Sequence, residues 1–242
     1  MTVEDVVPIF IVTHDLLAPL KHTLEGIEKN VKTPHQIVIH DTCSTYKPLL
    51  IFLKELEESK QVIVKRAPLN DIRTLTHTIE QYFTEQGKRT YYVVTDPDIV
   101  LSESDGTILT VCQSVLENIP HVTKVGPSLI IDNLPEWYSR KELVLRNERL
   151  YYNQPLSSVS KDSKEIKAFM APIDSTFAMY RPEYKWEFAG SNYYSGIRLA
   201  SPFDAKHLGW YVNLQEPDDE YAYYIEHASA VSSNVDGLRH GR

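Results

Sequence analysis

Apolar and polar positions alternate along the first hundred residues in two kinds of block, short apolar runs and helical repeats. The short runs are rich in β-branched residues and predict strands at 8–13, 36–40, 61–65 and 91–95. Between them, apolar residues recur every three or four positions, which predicts helices after Asp15, from Pro48 to Leu56, and after Asn70. Strands that alternate with helices are typical of a mainly parallel sheet, so we expect an α/β protein.

The second half of the chain has a less regular pattern. A helix is predicted from about 104 to 119, strands at 122–131 and 174–180, and a last helix at 219–229. The segment 133–167 shows no clear period and is expected to be a loop-rich insertion over the sheet edge. Irregular structure is expected from Gly190 to the last helix, and no linker divides the chain, so 1–242 is treated as one domain.

Composition and charge exclude several classes of protein. The net charge is −8 and the basic residues are scattered, which argues against extended nucleic-acid binding. No apolar run approaches the roughly 20 residues of a membrane span, and acids stand where a secretory signal carries positive charge, so we expect a cytoplasmic protein. Cys43 and Cys112 lack disulfide or zinc spacing and are predicted to be buried thiols.

Polar residues follow each predicted strand of the first half, which is where open α/β sheets bind their ligands. They are Thr13 with Asp15, Asp41, Asn70 with Arg73, and Asp96 with Asp98. A single acid after a strand, such as Asp15, is more often a helix cap or a turn residue.

The pair Asp96 and Asp98 carries more information than a single acid. Both side chains can lie on one side of the chain, Pro97 stiffens the spacing, and no Lys or Arg is adjacent. A divalent cation, Mn²⁺ or Mg²⁺, that also binds phosphate oxygens relieves the repulsion between such carboxylates. The sequence has no GxGxxG, GxxxxGK[ST] or GxSxG motif, so a dinucleotide site, a P-loop and a serine hydrolase are not supported.

Several sequence blocks resemble one family of enzymes. VVTDPDIVL resembles the DxD motif of GT-A-fold glycosyltransferases, and IFIVTHDLLAPL and IVIHDTCSTY resemble the first two nucleotide-binding strand ends of family 2-like members. KVGPSLIIDNLPEWY, MAPIDSTFAMYRP and GIRLASPFDAKHLGWYV are similar to a subset of small bacterial glycosyltransferases and to a related domain in capsid-glycosylating enzymes of large algal viruses. The resemblance implies a GT-A, Rossmann-like fold in which residues 1–101 bind the nucleotide and a loop-rich region, 102–242, binds the acceptor. A viral member would act in the host cytoplasm.

The same resemblance implies roles for the donor-binding residues. Thr13 and Asp41 would hold the ribose and base of a nucleoside diphosphate sugar, with Asp15 beside them, and Arg73 would approach the diphosphate. Asp96 would contact ribose or metal, and Asp98 would ligate the metal. His207 corresponds to a third metal ligand, and a structural histidine bonded to the backbone is an equal alternative.

A catalytic base is harder to select from the sequence. Asp174 ranks first because it opens a predicted strand that faces the donor sugar, and Asp132 ranks second, with donor-sugar binding or a turn as its alternatives. Glu136 and the acids at 216–220 are further candidates, although acids at a helix start are usually solvated. The aromatic residues Trp137, Tyr138, Trp210 and Tyr211 either shape sugar sites or pack in the core.

The predicted function is therefore metal-dependent glycosyl transfer. A sugar would move from a nucleoside diphosphate donor to a hydroxyl of a glycan acceptor, with inversion favoured and Asp174 as base. Two alternatives stay open, a sugar-phosphate nucleotidyltransferase and a non-catalytic glycan-binding module. The first normally has a glycine-rich loop after its first strand, and THDLLAPLKH contains no glycine.

Overall fold

The first half of the chain folds as the alternating pattern predicts. The computed structural model describes residues 5–153, 155–161, 164–188 and 196–227. Its first elements are β1 (Val7–Thr13), α1 (Leu17–Asn30), β2 (His35–Asp41), α2 (Lys47–Ser59), β3 (Ile63–Arg66), a 3-10 turn (Ile72–Thr74), α3 (Leu75–Gln86) and β4 (Tyr92–Thr95). All seven residues of β1 are buried, as in a central strand covered on both faces.

The second half contributes more regular structure than its sequence pattern suggests. Its elements are β5 (Ile99–Leu101), α4 (Ile108–Asn118), β6 (Lys124–Pro127), α5 (Lys141–Tyr152), β7 (Pro155–Lys161), β8 (Lys164–Met170), β9 (Ala178–Tyr180), β10 (Gly196–Leu199), β11 (Ala205–His207), a 3-10 turn (Leu208–Tyr211) and α6 (Asp219–His227). The expected irregular structure at 189–195 and the end of the last predicted helix at 228–229 lie outside the described residues.

One mixed sheet of nine strands organises the molecule. The strand order is β3-β2-β1-β4-β9-β6-β10-β8-β7, and β3, β2, β1 and β4 run parallel. β9 lies antiparallel between β4 and β6, so β6 and its parallel partner β10 point the same way as β4. The carboxyl ends of β1, β4, β6 and β10 therefore share one edge of the sheet, which confirms the predicted α/β class.

The prediction of a loop-rich insertion at 133–167 was wrong. This segment forms α5, β7 and the beginning of β8, and the two strands supply the sheet edge instead of covering it. The helix was missed because one position on its buried face is an acid, which interrupts the apolar repeat. This acid, Glu148, is only 8% exposed, and its Oε2 lies 2.6 Å from Nη1 of the buried Arg198. A buried charge needs such a partner, and the partner lies 50 residues away in the chain.

Three other predictions for the second half need correction. Only Lys124–Pro127 of the strand predicted at 122–131 forms a strand, β6. Beyond β6, Ser128 and Ile130 form hydrogen bonds with the backbone of Ala205. The strand predicted at 174–180 is limited to β9, so Asp174 precedes a strand and does not open it. The region expected to be irregular after 190 contains β10 and β11.

A two-stranded sheet holds the segment that follows β4. β5 pairs antiparallel with β11, and Ile99 is the partner of His207. The hydroxyl of Thr23, buried in α1, donates to the carbonyl oxygen of Pro97 at 2.8 Å. The Asp96-Pro97-Asp98 turn is thus fixed on both sides, by β11 and by α1.

The cysteine prediction is half right. Cys112 is buried, where burial raises the pKa of its thiol, but Cys43 is exposed in the loop after β2 and has a positive φ of 62°. Within the described residues, no helix has both the length and the apolar character needed to cross a bilayer.

Candidate functional site

A pocket of about 410 Å³ opens at the carboxyl ends of β1 and β4. Its polar lining comes from the ends of six strands or from the turns beside them: Thr13, His14, Thr42, Asn70, Asp96, Asp98, Asp174, Ser175, Thr176 and His207. Its apolar lining is Val12, Leu16, Ile72, Pro97, Phe188, Trp210 and Tyr224. Ten of the seventeen lining residues are polar, so the pocket suits a ligand with many hydrogen-bonding groups.

Asp96 is held from the side of β9. Its backbone N–H donates to the carbonyl oxygen of Ser175 at 2.6 Å, and the Ser175 hydroxyl donates to its Oδ2 at 2.8 Å. Asp96 lines the pocket and is partly buried. Burial raises the pKa of this carboxyl well above its ordinary value, and the nearby Asp98 and Asp174 raise it further. Three carboxyl groups therefore lie close enough to interact, with Asp98 buried, Asp96 partly buried and Asp174 exposed.

Asp98 and His207 lie side by side because of the β5–β11 pairing. Asp98 is buried, its carbonyl oxygen accepts from Leu208 N–H at 2.8 Å, and its Oδ2 accepts from Gly209 N–H at 3.2 Å. Nδ1 of His207 is 3.2 Å from the same Oδ2, but the geometry is not that of a hydrogen bond. This buried nitrogen therefore has no hydrogen-bond partner among the described residues. The imidazole stacks on Trp210, with ring centroids 4.8 Å apart and planes 5° apart, which fixes its orientation.

This arrangement fits a divalent cation with two protein ligands. A carboxylate and an imidazole side by side, one with an unused buried nitrogen, form a donor set suited to Mn²⁺. In the described ranges, no group of three or more His, Cys, Asp and Glu residues is arranged to hold a metal ion. A cation here would need further oxygen ligands from a substrate or water.

Asp174 lines the same pocket from a turn that ends in an unusual backbone conformation. The buried Phe177 has a φ of 57°, a left-handed conformation that is rare for a large side chain and is concentrated at functional sites. The hydroxyl of Thr176 beside it is buried without a hydrogen-bond partner among the described residues, as is that of Thr13 across the pocket. A polar group of a bound ligand would supply the hydrogen bond that each of these two hydroxyls lacks.

A hydrogen-bonded network that was not predicted from the sequence lies beside Thr13 and consists of His14, Thr42 and Asn70. His14 Nδ1 is 2.9 Å from the carbonyl oxygen of Thr42, so this nitrogen carries the proton. Nε2 then accepts from Asn70 Nδ2 at 2.8 Å. His14 directly follows the strand predicted at 8–13, and Asn70 lies in the loop after the strand predicted at 61–65, so their position was the available signal.

Three predicted donor-binding residues do not line the pocket. Asp15 is fully buried with a φ of 50°, and its Oδ1 accepts from the N–H groups of Thr45 and Tyr46 at 2.6 and 2.7 Å. It therefore supports the loop before α2 and does not cap α1, whose first turn has Leu16 at the N-cap position without a side-chain hydrogen bond.

Asp41 and Arg73 are likewise engaged with other residues. Asp41 accepts from Ser44 N–H at 3.0 Å and pairs with Arg66 at 3.2 Å. Arg73 is exposed and pairs with Asp71 at 2.6 Å, and hydrogen bonding from Arg73 lowers the pKa of the Asp71 carboxyl.

Asp132 lies apart from the other predicted site residues. It lines a second pocket, of about 270 Å³, with Tyr152, Lys167 and Asp204. The structure thus brings Thr13, Asp96, Asp98, Asp174 and His207 together and separates Asp132 from them. Of the four aromatic residues considered, Tyr138 and Trp210 are buried, and Trp137 is half exposed.

The last helix completes one wall of the first pocket. Tyr224 of α6 lines the pocket and its ring centroid is 6.4 Å from that of His14. Glu220 anchors α6: its Oε1 accepts from the N–H groups of Leu17 and Ala18 at 3.0 and 2.9 Å. The acids at 216–220 are therefore not simply a solvated helix start, because Glu220 supplies the cap that α1 lacks.

Comparison with known proteins extends the description of the fold. No protein-family model and no curated protein matches the sequence. The structure is similar to that of GalNAc-T7 with UDP, GalNAc and Mn²⁺, at a TM-score of 0.54 and 12% identity over 84% of this chain and 43% of that chain. It is also similar to S. aureus TarS 1-349, at a TM-score of 0.50 and 13% identity over 92% of this chain and 69% of that chain.

A further similar structure is the mannosyltransferase PcManGT from Pyrobaculum calidifontis with GDP-Man and Mn²⁺, at a TM-score of 0.49 and 13% identity over 100% of this chain and 66% of that chain. The chain thus spans between 43% and 69% of the length of these proteins. Identities this low show likeness of fold alone. The strand order, the flanking helices and these similarities together show that the chain has the GT-A fold found in nucleotide-sugar glycosyltransferases.

Proposed function

We propose that the chain is a metal-dependent glycosyltransferase that moves a sugar from a nucleoside diphosphate donor to a hydroxyl of a glycan. The observation that carries this proposal is the pocket at the strand ends, where Asp98 and His207 adjoin Asp96 and Asp174. A structure of similar fold, GalNAc-T7, holds Mn²⁺ with UDP and GalNAc, which agrees with the proposed metal and donor class. Among such enzymes, the blocks around Asp132, Asp174 and His207 favour the small bacterial and algal-virus subset.

Asp98 and His207 are the proposed protein ligands of Mn²⁺, with Mg²⁺ less favoured because imidazole is a poorer ligand for it. When bound, the cation would neutralise the charge that develops on the leaving diphosphate. The stack on Trp210 keeps His207 in place for this role, and the Gly209 N–H keeps Asp98 in place.

The donor's nucleoside is proposed to bind between β1, β3 and α6. Thr13 offers an unpaired hydroxyl, and the Asn70 amide, oriented by His14, offers a second hydrogen-bonding group. Asp96 is proposed to contact ribose or metal. Asp15 and Asp41 are proposed to support donor binding indirectly, by holding the loops of this half in place. Arg73 is proposed to leave Asp71 when the donor binds and to pair with the diphosphate instead.

Asp174 is the proposed catalytic base. It lines the pocket from the turn before β9, close to Asp96. A carboxylate there would accept the proton of the acceptor hydroxyl as that oxygen attacks the anomeric carbon and the nucleoside diphosphate leaves, giving inversion.

A screen of UDP- and GDP-sugars for Mn²⁺-dependent donor hydrolysis tests the proposal. We expect at least one donor to release its nucleoside diphosphate, and Asp98→Asn to abolish this release while Glu103→Gln, which changes an exposed carboxyl outside the pocket, does not. Hydrolysis that persists in Asp98→Asn, or the absence of metal-dependent binding of any of these nucleotides, contradicts the proposal. Release of pyrophosphate from a nucleoside triphosphate and a sugar phosphate would indicate a nucleotidyltransferase instead.

A further inference from the structure

A second cavity, separate from the metal and donor residues, lies at the same edge of the sheet. Its volume is about 270 Å³, close to the lower end of small-ligand sites. It sits at the ends of β6 and β10, where Ser128 and Ala200 follow the strands, and along the second half of β8, where Lys167 and Phe169 line it. Because β6 and β10 point the same way as β4, this cavity and the donor pocket open along one rim.

The two cavities are close neighbours along that rim. Ser128 of the second cavity follows β6, and Thr176 of the first precedes β9, the strand that pairs with β6. Adjacent strands are about 4.8 Å apart. On the other side, Asp204 of the second cavity and His207 of the first are three residues apart along β11, which corresponds to about 10 Å of extended chain.

The floor of the second cavity is apolar and fixed. Phe169 is buried in β8, and the hydroxyl of Tyr152 accepts a hydrogen bond from the Leu129 N–H at 3.0 Å. The two rings are packed together, with centroids 5.1 Å apart. Aromatic faces of this kind pack against the C–H groups of a sugar ring, and their rigidity lowers the entropy cost of binding.

Charged groups with unused hydrogen-bonding capacity surround this floor. The carboxylates of Asp132 and Asp204 form no hydrogen bond or ion pair with any residue that the structure describes. The ammonium group of Lys167 lies 5.4 Å from the centroid of the Phe169 ring. Two acceptor groups and one donor around an aromatic floor match the hydroxyl groups of a sugar, each of which both donates and accepts.

The balance of charge restricts which sugars fit. Asp132 and Asp204 supply two negative charges and Lys167 one positive charge, so a carboxylate or phosphate on the ligand would meet net repulsion. A cation held by the two carboxylates is the competing possibility, and the Lys167 ammonium opposes it.

We propose that the second cavity binds an uncharged sugar ring of the acceptor and so guides an acceptor hydroxyl toward Asp174. This assignment rests on the proposed glycosyltransferase function. Asp132, considered from the sequence as a base, is then a residue that recognises the acceptor. Acceptors that carry a uronic acid or a phosphate at this ring are poor substrates.

Binding of simple sugars in the absence of donor and metal tests this inference directly. The probes are the methyl glycosides of glucose, galactose and mannose, with methyl glucuronide as the acidic counterpart, and the measurement is saturation-transfer difference NMR. We expect at least one neutral glycoside to give signals that fall about fivefold or more in Asp204→Asn and in Lys167→Met, with glucuronide signals much weaker from the start. Glu103→Gln, an exposed carboxyl variant outside the cavity, is the matched control and should bind like the unaltered protein.

Kinetics with an active donor then separate this inference from the proposed function. Once the donor screen has given a substrate, Asp204→Asn should raise the acceptor KM at least tenfold and change the donor KM less than twofold. Neutral glycosides that bind equally to the variants, glucuronide that binds as well as they do, or Mn²⁺ that binds to Asp132 and Asp204, would overturn the inference while leaving donor hydrolysis intact. A failure of all donors would instead refute the function on which it rests.

Discussion

The contact between Glu220 and the start of α1 gives a prediction with a calculable size. α1 has no acid in its first turn and no side-chain cap of its own, so its first N–H groups depend on a residue about 200 positions away. Glu220 Oε1 accepts from both Leu17 and Ala18, and the same helix places Tyr224 in the wall of the pocket proposed to bind the donor. Removing the carboxyl group should therefore weaken both the fold and nucleotide binding in that pocket.

The magnitude follows from the two hydrogen bonds. Loss of a helix cap costs about 0.5–2 kcal/mol, so Glu220→Ala should lower the free energy of unfolding by about 1–2 kcal/mol. In a chain of this size that corresponds to a fall in Tm of about 2–8 °C. Burial raises the pKa of Glu220 despite the bonds from Ala18 and Leu17, so the negative charge itself is not favoured there. Glu220→Gln, which keeps an Oε1 acceptor for both N–H groups, should retain most of the stability.

The pH dependence of these variants has a definite sign. Since the folded state holds the Glu220 proton more tightly than the unfolded chain does, ionisation of Glu220 lowers stability as pH rises from its ordinary pKa through its raised pKa. The difference in stability between the two proteins should therefore change in favour of Glu220→Gln as pH rises through that interval.

Thermal unfolding and calorimetric titration with UDP and GDP check this reasoning. Glu220→Ala should unfold earlier and bind the preferred nucleotide more weakly, and Glu220→Gln should do neither. Asp219→Asn, which alters the exposed neighbour on the same helix, is the control. The reasoning is refuted by a Glu220→Ala variant with unchanged Tm and nucleotide affinity, or by a Glu220→Gln variant as damaged as Glu220→Ala.

Four further substitutions test other parts of the structure. His207→Ala removes one of two proposed ligands and should lower Mn²⁺ affinity at least about tenfold in a titration with UDP or GDP present; unchanged affinity would make His207 structural. Asp174→Asn should reduce kcat by about 10²–10⁴-fold with donor affinity unchanged, measured by steady-state transfer and nucleotide titration, and a normal rate would exclude it as base. Burial lowers the pKa of His40 to about 4, so its neutral form is favoured in the fold, and stability should fall by about 3 kcal/mol as pH drops from 6.5 toward 4. In urea unfolding across that pH range, the free energy of unfolding of His40→Gln should depend less on pH than that of the unaltered protein. An equally steep dependence would contradict a lowered pKa of His40 as its cause. Gly126→Ala places a Cβ 2.8 Å from the carbonyl oxygen of Phe177 and should cost about 1–3 kcal/mol in urea unfolding, which a variant of normal stability would disprove.

The parallel half of the sheet was predictable because its information is local. Each of the strands β1 to β4 contains a short run of β-branched or other apolar residues, and a helical period follows β1, β2 and β3 within about 20 residues of chain. Thr13, Asp96 and Asp98 could be selected for the same reason, since their position after such strands is visible in the sequence. The sequence could not show that Asp41 and Arg73 would not line the pocket with them, because this depends on the ion pairs of Asp41 with Arg66 and of Arg73 with Asp71.

The second half was harder to predict because its elements depend on distant partners. α5 buries Glu148 only because Arg198 of β10 neutralises it, so the apolar stripe that marks a helix is interrupted. β11 has three residues, and its place in the structure comes from pairing with β5, about 100 positions earlier. Short strands of this kind carry no periodic signal of their own.

The antiparallel strand β9 explains why one pocket contains both the proposed metal ligands and the proposed base. In an uninterrupted parallel sheet, the neighbour of β4 would end at the same edge as β4, and the residues beyond its carboxyl end would lead away into a helix. β9 runs the other way, so it begins at this edge, and the residues just before it, Asp174 to Thr176, lie against Asp96. Since β6 and β10 on the far side of β9 again end at this edge, the second cavity adjoins the first. One reversed strand therefore places the proposed base between the residues proposed for donor and acceptor, which is the arrangement that direct transfer between two bound substrates requires.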